Sequence, residues 1–126
     1  RPMAIEHSAR LEGGLLVVKA SGFDENIEQV REYGLWIIDE ALRLDVTHIL
    51  CDERDLEYRL STLDTFAIAS YIAEAAPRMA KIALACNPRF MADAVFWENV
   101  AVNRGLIVKV FKDIDDARAW LTDAAR

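Results

Sequence analysis

The sequence predicts an α/β fold with a mostly parallel five-stranded sheet, and three observations predict it. Short apolar runs typical of strands alternate with segments in which apolar residues recur at helical spacing. Gly13 and Gly14 separate the first two strand-like runs and favour a tight antiparallel turn. The later strands alternate with helices, which is typical of parallel βαβ units. The predicted order is β-β-α-β-α-β-α-β-α, with an antiparallel first strand.

The first part of the chain supplies two strands and a long helix. Odd positions from Met3 to Leu11 are mostly apolar and even positions are mostly polar, which is the alternation of a half-buried edge strand. Leu15–Ala20 is the second strand, and Ser21–Asp24 is expected to end it. Helical spacing then predicts a helix that extends to about Leu44, with Asp24 as its candidate N-cap.

The rest of the chain repeats a strand-helix unit. The predicted strands are Val46–Glu53, Ala80–Cys86 and Leu106–Phe111. The predicted helices are Thr62–Ala76, which Pro77 stops, Met91–Asn103, which Gly105 ends, and Asp115–Leu121.

Lysines interrupt three of the predicted strands, at Lys19, Lys81 and Lys109. A parallel sheet that helices cover on both faces has strands that are apolar throughout. We therefore expect the helices to lie largely on one face, which leaves a partly open face that could meet a partner. The alternative is that lysines at strand ends simply reach water.

Composition restricts the class of protein. The chain has 126 residues, of which 53% are hydrophobic and 29% charged, as expected for one globular domain over residues 1–126. A net charge of -6 disfavours binding to nucleic acid or to anionic membranes. No segment approaches the ~20 apolar residues of a membrane span, and the first residues lack the apolar stretch of a signal peptide. We expect a cytoplasmic protein that is not an integral membrane protein.

Residues suited to metal binding or nucleophilic catalysis lack the partners that such chemistry requires. His48 and Cys51 would point to opposite faces of a strand, so they cannot bind one metal ion. Cys86 ends a strand at the edge where open α/β sheets place their sites, but no histidine is predicted beside it. Cys86 is interpreted as a packed structural residue, and both cysteines as reduced thiols. We expect neither a metal nor a cofactor.

Four acidic residues cluster at the end of the third predicted strand and directly after it. An aspartate at that place holds Mg²⁺ and accepts a phosphoryl group in receiver domains. Here Asn87 stands where a Ser or Thr is wanted, and the leading hairpin is foreign to receivers. The group is therefore interpreted as a solvated acidic loop, and its members are Asp52, Glu53, Asp55 and Glu57.

Ser61 and Thr62 open the second predicted helix. A hydroxyl residue followed three positions later by an acid, here Asp64, is a capping box. A phosphate at the same place would meet free N–H groups and the positive end of the helix dipole. Ser61 and Thr62 are thus candidate phosphoacceptor or switch positions, and a purely structural cap is the alternative.

The adjacent aromatic residues Phe96 and Trp97 lie on the third predicted helix. Because successive helical residues are separated by about 100°, both cannot face the sheet together with the rest of the apolar stripe. One of them is expected near the surface, either beneath a neighbouring helix or at a subunit contact or ligand pocket. With Phe66 and Phe90 they are candidate residues of a hydrophobic ligand site or of an interface.

Three segments resemble one known family. The segment Val110–Leu121 resembles the ending of bacterial SpoIIAA-like, STAS-related domains, and Gly14–Gly22 and His48–Asp52 are similar to earlier parts of them. The family is similar in fold to anti-sigma-factor antagonists and to CRAL-TRIO lipid-transfer domains. The resemblance implies βα units with helices largely on one side of the sheet.

The same resemblance implies a role. Antagonists carry a phosphorylatable serine in the pattern Asp-Ser-x-Gly-Leu, and aligning Asp52 with their strand-end aspartate brings Ser61 to the phosphoserine position. Leu60, Leu63 and Asp64 replace the Asp, Gly and Leu of that pattern. The resemblance implies a non-enzymatic interaction or regulatory domain of a bacterial cytoplasmic protein, with a protein partner or self-association.

Two other functions stay open at this stage. One is a small carrier or sensor that binds a lipid or another hydrophobic ligand, for which a deep apolar cavity is required. The other is an enzyme that uses Cys86 or Asp52, which requires a base or a metal ion beside either residue.

Overall fold

The computed structural model describes residues 4–78 and 80–122, which form one five-stranded sheet and four helices. The strands stand in the sheet in chain order, and they are β1 (Ile5–Glu12), β2 (Leu15–Asp24), β3 (His48–Tyr58), β4 (Lys81–Cys86) and β5 (Ile107–Phe111). The helices are α1 (Ile27–Leu44), α2 (Thr62–Ala75), α3 (Met91–Asn103), which a 3-10 turn at Pro88–Phe90 precedes, and α4 (Ile114–Thr122).

The predicted order and strand directions are confirmed. Strand β1 pairs with β2 antiparallel, and the pairs β2–β3, β3–β4 and β4–β5 are all parallel. Met3, the predicted start of the first strand, lies outside the described residues.

Helices α1, α2 and α3 lie on one face of the sheet, and α4 lies on the other. On the three-helix face, alternate strand residues build the larger core, among them Leu16, Val18, Ile49, Cys51, Ile82 and Leu84. On the other face, Ala117 and Leu121 of α4 pack on a smaller apolar cluster. The expectation that the helices lie largely on one face is confirmed.

The three strand lysines all lie on the face of α4. Lys19 is two residues from Val17, Lys81 is two residues from Ala83, and Lys109 pairs with Ala83, so they share the face of the smaller cluster. Lys81 is covered by α4, since its Nζ donates to the Trp120 carbonyl oxygen at 3.0 Å and lies 4.5 Å from the centre of the Trp120 ring. Lys19 and Lys109 are exposed. This face of the sheet is therefore only partly covered.

Strands β2 and β3 are longer than predicted. Ser21–Asp24 does not end β2, because these residues pair with Asp55–Tyr58 of β3 beyond a register shift after Lys19. The acidic residues at positions 52 to 57 consequently lie in a strand, and their interpretation as a loop is wrong. Pairing with β2 satisfies the backbone hydrogen-bonding groups of this segment. Its polar side chains are not typical of a strand, so the sequence pattern does not predict the pairing.

Asp24 connects the end of β2 to the segment before α2. Its carboxylate accepts hydrogen bonds from the backbone N–H groups of Arg59 at 2.6 Å and Leu60 at 3.3 Å. The cap of α1 is instead Asn26, whose Oδ1 accepts from the N–H of Glu28 at 2.8 Å. The assignment of Asp24 as that cap is wrong, because Asp24 lies within β2 and its side chain is used by a distant loop.

Gly22 is the glycine on which the extended β2 depends. Its φ is +101°, and an added Cβ would lie 2.0 Å from the carbonyl oxygen of Ala4. The neighbouring Phe23 N–H donates to that same oxygen at 2.9 Å, so the oxygen cannot move away without loss of a hydrogen bond. We expect Gly22→Ala to lower the free energy of unfolding by about 2 kcal/mol or more.

Gly14→Ala is the matched control, because nothing lies within 4 Å of a Cβ built at Gly14. We expect this variant to change stability by less than about 0.5 kcal/mol. Urea denaturation of both variants measures the difference. Equal midpoints for the two would show that the contact between Gly22 and Ala4 does not constrain the sheet.

Candidate functional site

An apolar cavity of about 210 Å³ lies between α2 and the sheet. Helix α2 packs sideways against α1 and α3. One wall consists of its inward residues Thr65, Ile68 and Ile72, together with Ala76 directly after the helix. The facing strands form the other wall, which consists of Ile49, Cys51, Glu53, Ile82 and Leu84. A dry engineered cavity of about 150 Å³ admits benzene, so this space is large enough for a small organic molecule.

Close contact between helices positions α2 above this space. A Cβ at Gly34 of α1 would lie 2.4 Å from Cδ1 of Ile72, so the glycine lets the two helices meet there. The cavity reaches the surface where α1 ends and β3 begins, since its lining includes the exposed residues Leu42, Asp45 and Thr47. The fold therefore provides both a chamber and an approach to it.

The polar centre of the cavity is Glu53, which is only 7% exposed. The hydroxyl of Tyr33 donates to Glu53 Oε2 at 2.7 Å, and the hydroxyl of Tyr58 donates to Oε1 at 2.7 Å. Burial raises the pKa of Glu53 to about 7, although the two hydroxyls favour its charged form, and the charges of Asp24 and Asp52 add to the rise. Glu53 is thus a fixed carboxyl group that titrates near neutral pH.

The two tyrosines remain hydroxyl donors. Burial raises the pKa of Tyr33 and of Tyr58 well above the ordinary value, and the negative charge of Glu53 raises both further. The three groups form a single hydrogen-bonded unit between α1 and β3.

The sequence does not predict this unit, because Glu53 resembles its solvated acidic neighbours. In the structure it shares the buried strand face of Ile49 and Cys51. The alternation of those positions was the available signal. The tyrosines come from 20 residues before and 5 residues after Glu53, so no local motif joins the three.

Asp52 lies on the opposite face of β3 and is occupied by ion pairs. Its two carboxylate oxygens accept from Arg54 Nε at 2.8 Å and Nη2 at 2.9 Å, and Lys19 Nζ lies 3.4 Å from Oδ2. The hydrogen bonds from the Arg54 side chain lower the pKa of Asp52 despite partial burial. Over residues 4–78 and 80–122, no group of three or more His, Cys, Asp or Glu side chains could hold a metal ion.

Both thiols are buried, and neither is prepared for attack on a substrate. Burial raises the pKa of Cys86 to about 11 and that of Cys51 well above its ordinary value, with the charge of Glu53 contributing in each case. The Cys86 thiol lies 3.9 Å from the sulfur of Met91. A protonated thiol in apolar surroundings is typical of a packing residue.

Ser61 caps α2 at the protein surface. Its Oγ accepts from the N–H of Asp64 at 3.1 Å, and its carbonyl oxygen accepts from Thr65 Oγ1 at 2.9 Å. The side chains of Ser61 and Thr62 are exposed. Asp24 fixes the segment that leads to Ser61, so the start of α2 is held by both the cap and the sheet.

The four aromatic candidates are not brought together. Trp97 alone lines the cavity, whereas Phe66, Phe90 and Phe96 lie outside its lining. Phe66 points outward from α2 and is 42% exposed, with the Arg104 guanidinium 5.1 Å from its ring centre. Phe90 and Phe96 are half-buried. The four residues do not line one cavity, because helical spacing turns Phe66 and Phe96 away from the inward residues beside them. Their role at an interface stays a prediction.

Comparison with known proteins bears on the fold. No protein-family model matches the chain, and no curated protein matches it. Among solved structures, the chain is similar to an anti-sigma factor antagonist from Mycobacterium paratuberculosis, with a TM-score of 0.66 and 12% identity over 93% of each chain. This likeness confirms the SpoIIAA-type fold that the sequence resemblance predicts. None of the described helices is both long and apolar enough to span a membrane.

Glu53 makes the stability of the protein depend on pH. Because its pKa is raised from 4.5 to about 7, the folded state binds a proton more tightly than the unfolded chain does. Its contribution is full below pH 4.5 and is lost as the pH rises to about 7. Over that range we expect the free energy of unfolding of the wild type to fall by about 3 kcal/mol relative to Glu53→Gln, which does not titrate.

Urea denaturation at a series of pH values measures this difference. Asp52→Asn is the control, because it removes the adjacent carboxyl group on the other face of β3. Its charge is the smallest of the named contributions to the raised pKa of Glu53, so most of the fall should stay in place. Parallel pH profiles for the wild type and Glu53→Gln would contradict the prediction.

Proposed function

We propose that this chain is a non-enzymatic regulatory domain of the STAS type that binds a partner protein at the start of α2. The observation that carries the proposal is the exposed apolar surface beside Ser61. Leu63 is 77% exposed and Phe66 is 42% exposed, and they lie three residues apart in the first turns of the helix. We call Ser61, Leu63 and Phe66 the α2 patch. Such side chains commonly mark protein contacts when they cluster.

The fold supports the same conclusion. One solved structure with this fold is named an anti-sigma factor antagonist, and that name describes a protein that acts on another protein. The absence of catalysis is proposed because neither candidate catalytic residue is in a reactive state. The Cys86 thiol has a raised pKa, and Asp52 is held by Arg54.

The position of Ser61 suits a switch. Its side chain is exposed, and a phosphate on Oγ would lie at the positive end of α2 beside Leu63. The added charge would change the α2 patch while Asp24 holds the segment before the helix, and the phosphate oxygens would replace Oγ as acceptors for the N–H groups of the first turn.

The α2 patch is tested by capture of proteins from the host on the immobilised chain. We expect a protein that the wild type retains to be lost with Leu63→Glu, because a charge replaces an exposed apolar contact. The matched control is Leu11→Glu, which alters a 50% exposed leucine on β1. Retention that falls equally with both variants, or with neither, would contradict a contact at the α2 patch.

Charge at position 61 is separated from capping in the same assay. Asp and Asn cap helices about as well as Ser does, so Ser61→Asp adds a charge and Ser61→Asn adds none. We expect Ser61→Asp to change retention and Ser61→Asn to keep it. Ser61→Ala should cost about 1 kcal/mol of stability through loss of the cap.

A second function is favoured by the cavity. We propose that the domain also serves as a sensor or carrier of a small hydrophobic ligand, since a solid core would offer no space and this core has about 210 Å³. Trp97 and the aliphatic lining suit an apolar molecule.

Native mass spectrometry of the chain purified from its own host tests the second function. We expect a small-molecule adduct that is lost from Ala94→Leu, because Ala94 lines the cavity and a larger side chain there fills it. Val95→Leu, at an exposed position on the same helix, is the control and should keep the adduct. An adduct that survives in Ala94→Leu would place the ligand elsewhere, and wild-type protein without an adduct would count against the function.

A further inference from the structure

We propose that the cavity beneath α2 selects a small apolar molecule that carries a hydrogen-bond donor, either a hydroxyl or an amino group, which binds the carboxylate of Glu53. The same site rejects carboxylates and phosphates. This assignment rests on the second proposed function, that the cavity holds a ligand.

The charges of the lining exclude anions. Its charged residues are all acidic, and they are Asp24, Asp45, Glu53 and Asp93. No Lys, Arg or His occurs among the described residues that line the cavity. An anionic head group would lose its hydration and would meet like charge in a space of low dielectric, which is costly. A neutral donor or an ammonium group meets acceptors and opposite charge at the same place.

Glu53 retains the capacity to accept further hydrogen bonds. A carboxylate offers about four lone-pair positions, and among the described residues only Tyr33 and Tyr58 donate to this one. Because each tyrosine holds a different oxygen, the carboxylate is fixed before a ligand arrives. A fixed acceptor loses little conformational entropy when a ligand binds.

The hydroxyl groups around Glu53 cannot serve an anionic ligand instead. The hydrogens of Tyr33 and Tyr58 are donated to Glu53, and the hydrogen of Thr65 is donated to the Ser61 carbonyl oxygen. What these hydroxyls have left is acceptor capacity. The polar end of the cavity therefore recognises donors.

The apolar remainder determines the size of the ligand. The walls are aliphatic side chains of α1, α2, β3 and β4, with Trp97 from α3. A space of about 210 Å³ is somewhat larger than one that admits benzene, so one ring with a short chain fits.

Four probes of one shape test the proposal by titration calorimetry on the wild-type chain at about pH 8, above the pKa of Glu53, so that its carboxyl group is ionised. They are ethylbenzene, phenethyl alcohol, phenethylamine and hydrocinnamate, which differ in the head group. We expect the alcohol and the amine to bind about tenfold more tightly than ethylbenzene, because a hydrogen bond to a charged group adds at least that much to the affinity. We expect hydrocinnamate to bind most weakly. Contacts between the alcohol and the rings of Tyr33 and Tyr58, seen by NMR, should locate the head group.

Variants then assign the preference to Glu53. Glu53→Gln should reduce the advantage of the amine over ethylbenzene by about tenfold. Asp52→Asn is the control, because that side chain lies on the other face of β3 and should leave the ranking unchanged. The wild-type ranking decides the proposal even if Glu53→Gln does not fold.

The possible failures are distinct. If all four probes bind equally, or if hydrocinnamate binds best, the donor selectivity is wrong while the cavity still holds ligands. If no probe binds, including ethylbenzene, then the ligand-binding function itself fails and the selectivity fails with it.

Discussion

The pairing of the extended ends of β2 and β3 is the constraint on which the rest of the structure depends. It brings Asp24 to the segment before α2, where its carboxylate holds two backbone N–H groups. It also continues β3 to Tyr58, whose hydroxyl reaches back to Glu53. The start of α2 and the polar end of the cavity are thus fixed by the same strand pair.

Glu53 is an expensive residue to bury, and the fold compensates for it incompletely. Two tyrosine hydroxyls stabilise the charged form, but desolvation outweighs them and leaves the pKa near 7. An apolar residue of similar size would avoid this cost in a purely structural core. The retention of an acid between two donors is what a recognition site for a polar group requires.

Helix α2 connects the two proposed functions. Its inward residues, such as Thr65 and Ile72, form a wall of the cavity, whereas Leu63 and Phe66 face outward. Because the helix packs sideways on α1 and α3 with a cavity beneath, it can serve as a surface for a partner and as a cover for a ligand.

The sequence by itself determined the features that depend on local signals. Hydrophobic alternation predicted the strands, three lysines predicted the partly covered face, and the Ser61 hydroxyl predicted the helix cap. Tertiary structure decided the extension of β3, because exposed polar residues such as Arg54 and Asp55 look like a loop until β2 pairs beside them. It also decided the burial of Glu53, because Tyr33, which covers it, comes from a distant part of the chain. The cavity exists because α2 packs on the neighbouring helices.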